Sequence, residues 1–336
     1  MSGKLWLGLW LVLILRSLAV EPGETVQRLS GFRQVDVARL LAGEVLTERG
    51  ALMDFPNGIS AQSCFAVALP AEEVARRLQV WNPTAHAELK VSAFNAVAVP
   101  CRPADFTSLQ LTATQKSVRW LVEKTLATTP AKSSLHLSRA EAGELAGSLA
   151  TSTSSQRITE YWSKLLTARA TAFQQQGWDG IAPYEVAGKA TSAVTQLRAL
   201  LNDQSAVALE FAPVLRKAGL LGHAADAKLV PFYYWRCFEA NHHATLSLGA
   251  VYRLAVGERY QVVDVEYYVS GDYYAAVTLY EIWPVTGGAL VWRVDLFAAP
   301  MLEYIKGMER LAYEVLMVQD IKQWTRCLLD DLKVKR

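Results

Sequence analysis

The sequence carries no excess of charge. Over 336 residues, 34 Lys and Arg stand against 32 Asp and Glu. A nucleic-acid binder would concentrate basic residues on one face, and a polybasic membrane-surface protein would carry a similar excess, so the balance argues against both. Cysteine is scarce as well. Cys64, Cys101, Cys237 and Cys327 are all there is, and none stands in CxxC spacing, which excludes a zinc knuckle and a thioredoxin-like motif. There is no Asn-X-Ser/Thr sequon, because Asn82-Pro83-Thr84 contains the forbidden proline. Walker A, GxGxxG, HExxH and GxSxG patterns are all missing. Of five histidines, only His242 and His243 are adjacent, and neighbours on a strand point to opposite faces and cannot chelate one ion. No metal site and no cofactor are expected.

What is present is ample apolar material. Hydrophobic residues make up 51% and charged residues 20%, enough for a packed core and inconsistent with disorder. Residues 1–19 read as a secretory signal. Lys4 supplies the positive start, Leu5 to Leu15 the apolar run, and Ser17-Leu18-Ala19 the small residues before a cleavage site at Val20. A membrane span needs roughly 20 apolar residues, so no stable span is expected once the signal is removed, the alternative being an uncleaved signal anchor. The expected location is exported, periplasmic or secreted. Export would permit oxidation of the four cysteines, but each lies in an apolar stretch. Two disulfides and four buried thiols therefore both stand.

Three textures divide the remaining chain. Residues 20–109 and 223–336 read as one α+β sheet domain, interrupted by an all-helical insertion over 110–222. In the first part, Ile59 to Leu69 reads as a strand. A helix opened by Pro70 follows, with Val74, Leu78 and Trp81 on one stripe, then a strand over Leu89–Val99. Glu44–Met53 is a further strand. The insertion is rich in Ala, Leu, Ser and Thr. Ser138-Arg139-Ala140-Glu141 is a capping box, and a helix from Ile158 past Phe173 stops at Gly177. Further helices are expected over 114–127, 185–201 and 203–218, with Pro213 beginning or kinking the last. Trp178 and Tyr184 flank a loop where they plug a helix junction or touch a partner. The last part is strand-rich: 11 of 13 tyrosines lie after residue 230. Five strands precede a long helix over Met301–Leu332, whose stripe is Tyr304, Met308, Leu311, Val315, Val318, Ile321, Trp324 and Leu328.

Strand pairing predicts which side chains meet. With a two-residue turn at Gly271-Asp272, Glu266 faces Val277 and Asp264 faces Leu279. With another at Gly287-Gly288, Trp283 faces Trp292. One face then carries Asp264, Glu266, Tyr268, Leu279, Glu281, Trp283, Trp292, Val294 and Leu296. The other carries Val265, Tyr267, Thr278, Tyr280, Arg293 and Asp295. A one-residue slip would exchange the faces of a strand. A carboxylate on an apolar concave face would have a raised pKa.

The segment Phe65-Ala66-Val67-Ala68-Leu69-Pro70-Ala71-Glu72-Glu73-Val74, together with Val262–Leu332, resembles the START-like helix-grip superfamily in its order of elements. That resemblance implies a curved antiparallel sheet packed on the last helix, with an apolar cavity between them. The segments Gly58–Ser63 and Tyr267–Tyr274 also resemble an exported bacterial family of no assigned activity. The leading expectation is a non-enzymatic exported protein that binds an apolar small molecule or lipid in a sheet/helix cavity. Glu266, Tyr268, Glu281, Trp283 and Trp292 are its expected ligand contacts. The alternatives are a structural or protein-interaction module with a filled core, and an enzyme using a carboxylate of the Tyr-rich sheet.

Overall fold

The computed structural model describes residues 21–112, 115–150, 152–186, 188–222 and 224–334. The expected signal over 1–19 lies outside them. In chain order, α1 (Pro22–Leu29) and α2 (Val37–Leu41) lead into β1 (Val45–Arg49), β2 (Gly58–Val67), α3 (Ala71–Gln79) and β3 (Val91–Ala96). The helical block follows: α4 (Lys116–Leu126), α5 (Arg139–Leu149), α6 (Ser155–Gln176), the short hairpin β4–β5 (Tyr184–Val186 and Lys189–Thr191), α7 (Ala193–Asp203), α8 (Ser205–Glu210) and α9 (Ala212–Lys217). The chain then forms β6 (Phe232–Ala240), β7 (His243–Val256), β8 (Arg259–Val269), β9 (Ala275–Val285), β10 (Gly288–Ala298) and α10 (Met308–Lys333).

The fold is α+β. Eight strands form one curved antiparallel sheet in the order β1-β2-β10-β9-β8-β7-β6-β3. The outermost strands are the shortest, five and six residues, whereas the inner six run from 9 to 14. Every residue of β2 is buried, as expected of a strand covered on both faces. The helical block covers one face. There, Leu246, Leu248, Val263, Val265, Leu279, Trp292 and Leu296 share a core with Trp162, Leu166, Leu197 and Phe211. On the other face, α3 and α10 cover Phe65, Val67, Val262, Ile282 and Val291. Among the described residues no helix is long and apolar enough to cross a membrane.

Local chemistry explains several boundaries. Ser138 Oγ accepts from Glu141 N–H at 3.3 Å, and Glu141 Oε2 accepts from Ser138 N–H at 2.7 Å, so the capping box forms in full. Glu141 also receives Arg169 from α6 in a paired contact at 2.8 and 2.7 Å, which ties the α5 N-terminus to the long helix. Gly177, with φ +59°, ends α6. Trp178 plugs the junction beyond it, donating its indole N–H to Ala218 O at 2.7 Å. All four cysteines are free thiols.

Several expectations are corrected. The segment expected as a helix over 185–201 begins instead as the β4–β5 hairpin, turned by Gly188 at φ +79°, and the helix starts only after the Ser192 cap. The helix over 203–218 is two short ones, with Pro213 in the first turn of α9. The last helix starts at Met308, preceded by a 3-10 turn over Pro300–Glu303 and by Gly307 at φ +57°. Its apolar stripe also divides. Ile321 and Leu328 are buried and Val318 and Trp324 partly so, but Tyr304, Met308, Leu311 and Val315 are exposed, Leu311 at 36%. The reason is a polar anchor: Arg310 donates to Pro56 O at 3.0 Å, and Arg49 meets Glu314 at 3.0 Å. These contacts turn the polar side of the first helical turns inward and the stripe outward.

Candidate functional site

The strand registers decide what each face of the sheet carries. The β8–β9 connection is a five-residue loop, Ser270–Tyr274, held by Leu246 N–H donating to Ser270 Oγ at 2.9 Å and by Asp272 at φ +65°. Glu266 therefore pairs with Ala276, Asp264 with Thr278, and Gln261 with Glu281. This is one residue away from the register of a two-residue turn, so Asp264 and Glu266 change faces. The β9–β10 pairing keeps its parity: Trp292 faces Glu281, and Trp283 faces Leu290. The expected grouping of Glu266 with Tyr268, Glu281, Trp283 and Trp292 is therefore corrected. Glu266 stands with Tyr280, Arg293 and Asp295, on the side of α10. The other four lie under the helical block.

Those four are built into a sealed interface. Trp292 donates its indole N–H to Gln62 Oε1 at 2.9 Å and lies 5.9 Å from the Phe211 ring. Trp283 belongs to the same core. Glu281 accepts from Gln261 Nε2 at 2.7 Å and lies 3.3 Å from Arg259; burial pushes its pKa up to about 8. Tyr268 reaches this face through a bulge: β7 steps from Leu248 to Gly249 while β8 steps from Tyr268 to Glu266. Tyr267 and Tyr268 then both turn to the block. Tyr267 stacks on Phe173 at 3.9 Å, and Tyr268 lies 4.3 Å from the Arg169 guanidinium.

On the opposite face a cavity of about 500 Å³ separates the sheet from the middle of α10. Its floor comes from β6, β8, β9 and β10. Arg236 grips Glu266, with Nε at 3.0 Å from Oε1 and Nη2 at 2.9 Å from Oε2. Tyr273 OH donates to the same carboxylate. Tyr234 OH donates to Asp264 Oδ1 at 2.8 Å. Gly249 makes this contact possible, because a Cβ there would lie 2.1 Å from Tyr234 Cζ. Arg293 and Asp295 form a second paired contact at 2.7 and 2.8 Å, and Thr278 Oγ1 donates to Asp295 at 2.8 Å. The Arg293 Nη1 has no hydrogen-bond partner among the described residues. Aromatic walls come from Trp81, Phe94, Phe238 and Phe297, and the roof from Met317, Asp320, Ile321 and Trp324.

The electrostatics of this cavity are uneven. Seven carboxylates line it against three cationic side chains, Lys90, Arg236 and Arg293. Burial pushes the Asp264 carboxyl up to about 7, opposed by Arg236 and reinforced by Glu266. Burial also holds the Tyr234 and Tyr273 hydroxyls well above the ordinary tyrosine range, so both remain donors. The arrangement can hold a polar group between paired charges and aromatic rings, and Asp264 can exchange a proton near neutrality.

Arg236, Tyr234 and Tyr273 are site residues that the sequence reading leaves out, and Asp264 is one that it places on the opposite face. A signal existed. Tyr234-Trp235-Arg236-Cys237 alternates polar-capable and apolar side chains with period two, and Arg293-Val294-Asp295-Leu296 does the same on β10. Two Arg–carboxylate sets on alternate strand positions mark a face that is not ordinary core.

No protein-family model, no curated protein and no solved structure matches the chain.

Proposed function

We propose that this is an exported binding protein for a small amphipathic molecule, one with an apolar body and a cationic group, held in the cavity between the sheet and α10. The observation that carries the reading is the cavity itself: about 500 Å³ with a charged floor, aromatic walls and an excess of carboxylates. Small-ligand sites commonly occupy about 300–1,000 Å³ and combine apolar walls with a few converging polar groups. Aromatic faces attract cations through the ring quadrupole, and the excess of carboxylates over cationic side chains adds Coulomb attraction. The helix-grip-like order of elements supports a sheet/helix cavity as the binding place. The ligand expected from that resemblance was apolar, and the charged floor shifts the reading toward an amphipathic one.

The test is a panel of alkyl and aryl amines beside fatty acids of similar length, read by thermal shift and by the fluorescence of Trp81 and Trp324. Amines should raise the melting point and change the fluorescence, and Glu266→Gln should weaken them at least tenfold. Fatty acids binding equally well, or no amine binding at all, would sink the proposal. Export is part of the same reading, on the strength of Lys4, the Leu5–Leu15 run and Ser17-Leu18-Ala19. Amino-terminal sequencing of the mature protein should begin at or near Val20, and a full-length cytosolic product would refute it.

A second reading is favoured by one observation. Asp264, at about 7, sits where a general acid or base would be poised. If the protein is an enzyme, Asp264→Asn abolishes turnover of a bound ligand while leaving binding largely intact.

A further inference from the structure

Outside the cavity floor, one cluster joins two elements far apart in sequence. The loop after α3 turns through Pro83–Ala85 and Ala87–Leu89, two 3-10 turns, and lies against the C-terminal part of α10. His86 and Glu88 come from the loop, Cys327 from the helix. A ring nitrogen of His86, a carboxylate oxygen of Glu88 and the Cys327 sulfur all lie within 4.8 Å of one another. Cys327 is 3% exposed.

Each donor is already oriented. The Cys327 thiol donates to Glu88 Oε1 at 3.4 Å, so sulfur and carboxylate face one another across the gap. His86 Nε2 meets Asp331 Oδ2 at 2.9 Å, one helical turn beyond Cys327. Asp331 Oδ2 also accepts the Trp81 indole N–H at 2.8 Å, which fixes the carboxylate in place. In the tautomer whose Nε2 proton is held by Asp331, the lone pair lies on Nδ1. A carboxylate on one imidazole nitrogen is the usual outer support of a metal-bound histidine, since it sets the tautomer and raises ligand basicity.

We propose that His86, Glu88 and Cys327 bind a divalent zinc ion, with Asp331 as the outer carboxylate that positions His86. One nitrogen, one oxygen and one sulfur form a borderline-soft donor set, which suits zinc and disfavours magnesium and calcium. Three protein ligands leave one tetrahedral position for water. Binding converts the Cys327 thiol to a thiolate, and its proton leaves to solvent. The ion fastens the 83–89 loop to α10 at the rim of the cavity, where Glu88, Trp81 and Gln323 already lie. The inference does not depend on which molecule the cavity takes.

Cobalt(II) titrated into the full chain after removal of metals by a chelator is the direct probe, because a cobalt–thiolate bond gives a charge-transfer band. The expected result is one equivalent of cobalt bound with that band, displaced by zinc, together with a rise in melting point on adding zinc. Cys327→Ser should abolish the band although Cys64, Cys101 and Cys237 remain. Asp331→Asn should keep the band and weaken binding about 10–100-fold, the size of effect expected from losing an outer-shell partner. No saturable cobalt binding, or a thiolate band that survives in Cys327→Ser, would overturn the proposal.

Discussion

The two faces of the sheet fill their space in different ways. Under the helical block, large rings close the space around the buried polar groups. Trp162, Trp292, Tyr184, Tyr267 and Tyr268 are all less than 2% exposed. On the α10 side, charged side chains are gathered into sets, Arg236 with Glu266 and Arg293 with Asp295, and a cavity remains above them. Taking charges out of water is costly unless geometry and extra hydrogen bonds compensate, so such sets are weak stability devices. Ring burial is the stronger one, at about 25 cal/mol per Å² of apolar surface removed from water. The contrast teaches a division of labour. The sealed face holds the sheet in shape, and that shape lets the other face keep charges and open volume.

The comparison breaks first at Trp292. Trp292→Ala should lose about 3–5 kcal/mol of stability by denaturant unfolding, as large aromatic deletions in filled cores do. A loss below about 1 kcal/mol would show that the sealed face is not the stabilising one.

The response to pH sharpens the contrast through one shifted group from each face, His136 and Asp264. On the sealed side, His136 Nδ1 donates to Val269 O, 3.0 Å away, and the ring stacks on Tyr184 at 4.6 Å. Burial lowers its pKa to about 4 from an ordinary 6.5. The unfolded chain takes up that proton below about 6.5 and the folded chain only below about 4. Stability therefore falls as pH drops through this window, by about 3 kcal/mol in all. In the cavity the sign is reversed. Folded Asp264 keeps its proton up to about 7, and the unfolded chain gives it up near 3.8, so this group costs stability as pH rises from about 4 to about 7. His136→Asn should flatten the acid limb of a melting-point profile, and Asp264→Asn the limb towards neutrality. Identical profiles for both variants and the parent would refute the assignment.

The smallest effect belongs to neither face. Leu311 lies on the outward stripe of α10, so Leu311→Ala should change stability by less than about 0.5 kcal/mol. A loss of about 2 kcal/mol or more would mean that this stripe is buried in the working protein.

How much of this could be read in the sequence depends on the range of the interactions involved. Local signals were read well. The Ser138–Glu141 capping box, the Gly177 stop, the helix following Pro70 and the strand-rich part after residue 230 each depend on neighbours a few positions away. The coarse architecture followed, including the long last helix packed on a curved antiparallel sheet. The site was only half legible, because a strand's parity is set by its turns. A five-residue loop at Ser270–Tyr274 looks much like a two-residue turn at Gly271-Asp272, yet it moves Asp264 and Glu266 to the opposite side. The outward stripe of α10 was illegible for a related reason. Helical spacing identifies an apolar face, but only the distant partners of Arg310 and Glu314 decide where that face points.

The short outer strands have a consequence for how copies of the chain meet. An outer strand offers unpaired N–H and C=O groups on which another chain can grow, and a long flat one invites fibres. Here β1 offers five residues, and β3 offers six with a register shift between Val91 and Ala93. The long, apolar strands that would propagate best, β7 to β10, are all interior to the sheet. A second copy arriving at either rim finds a short and, on one side, uneven template. The long apolar strands are thereby kept from pairing with another copy at the rims of the sheet.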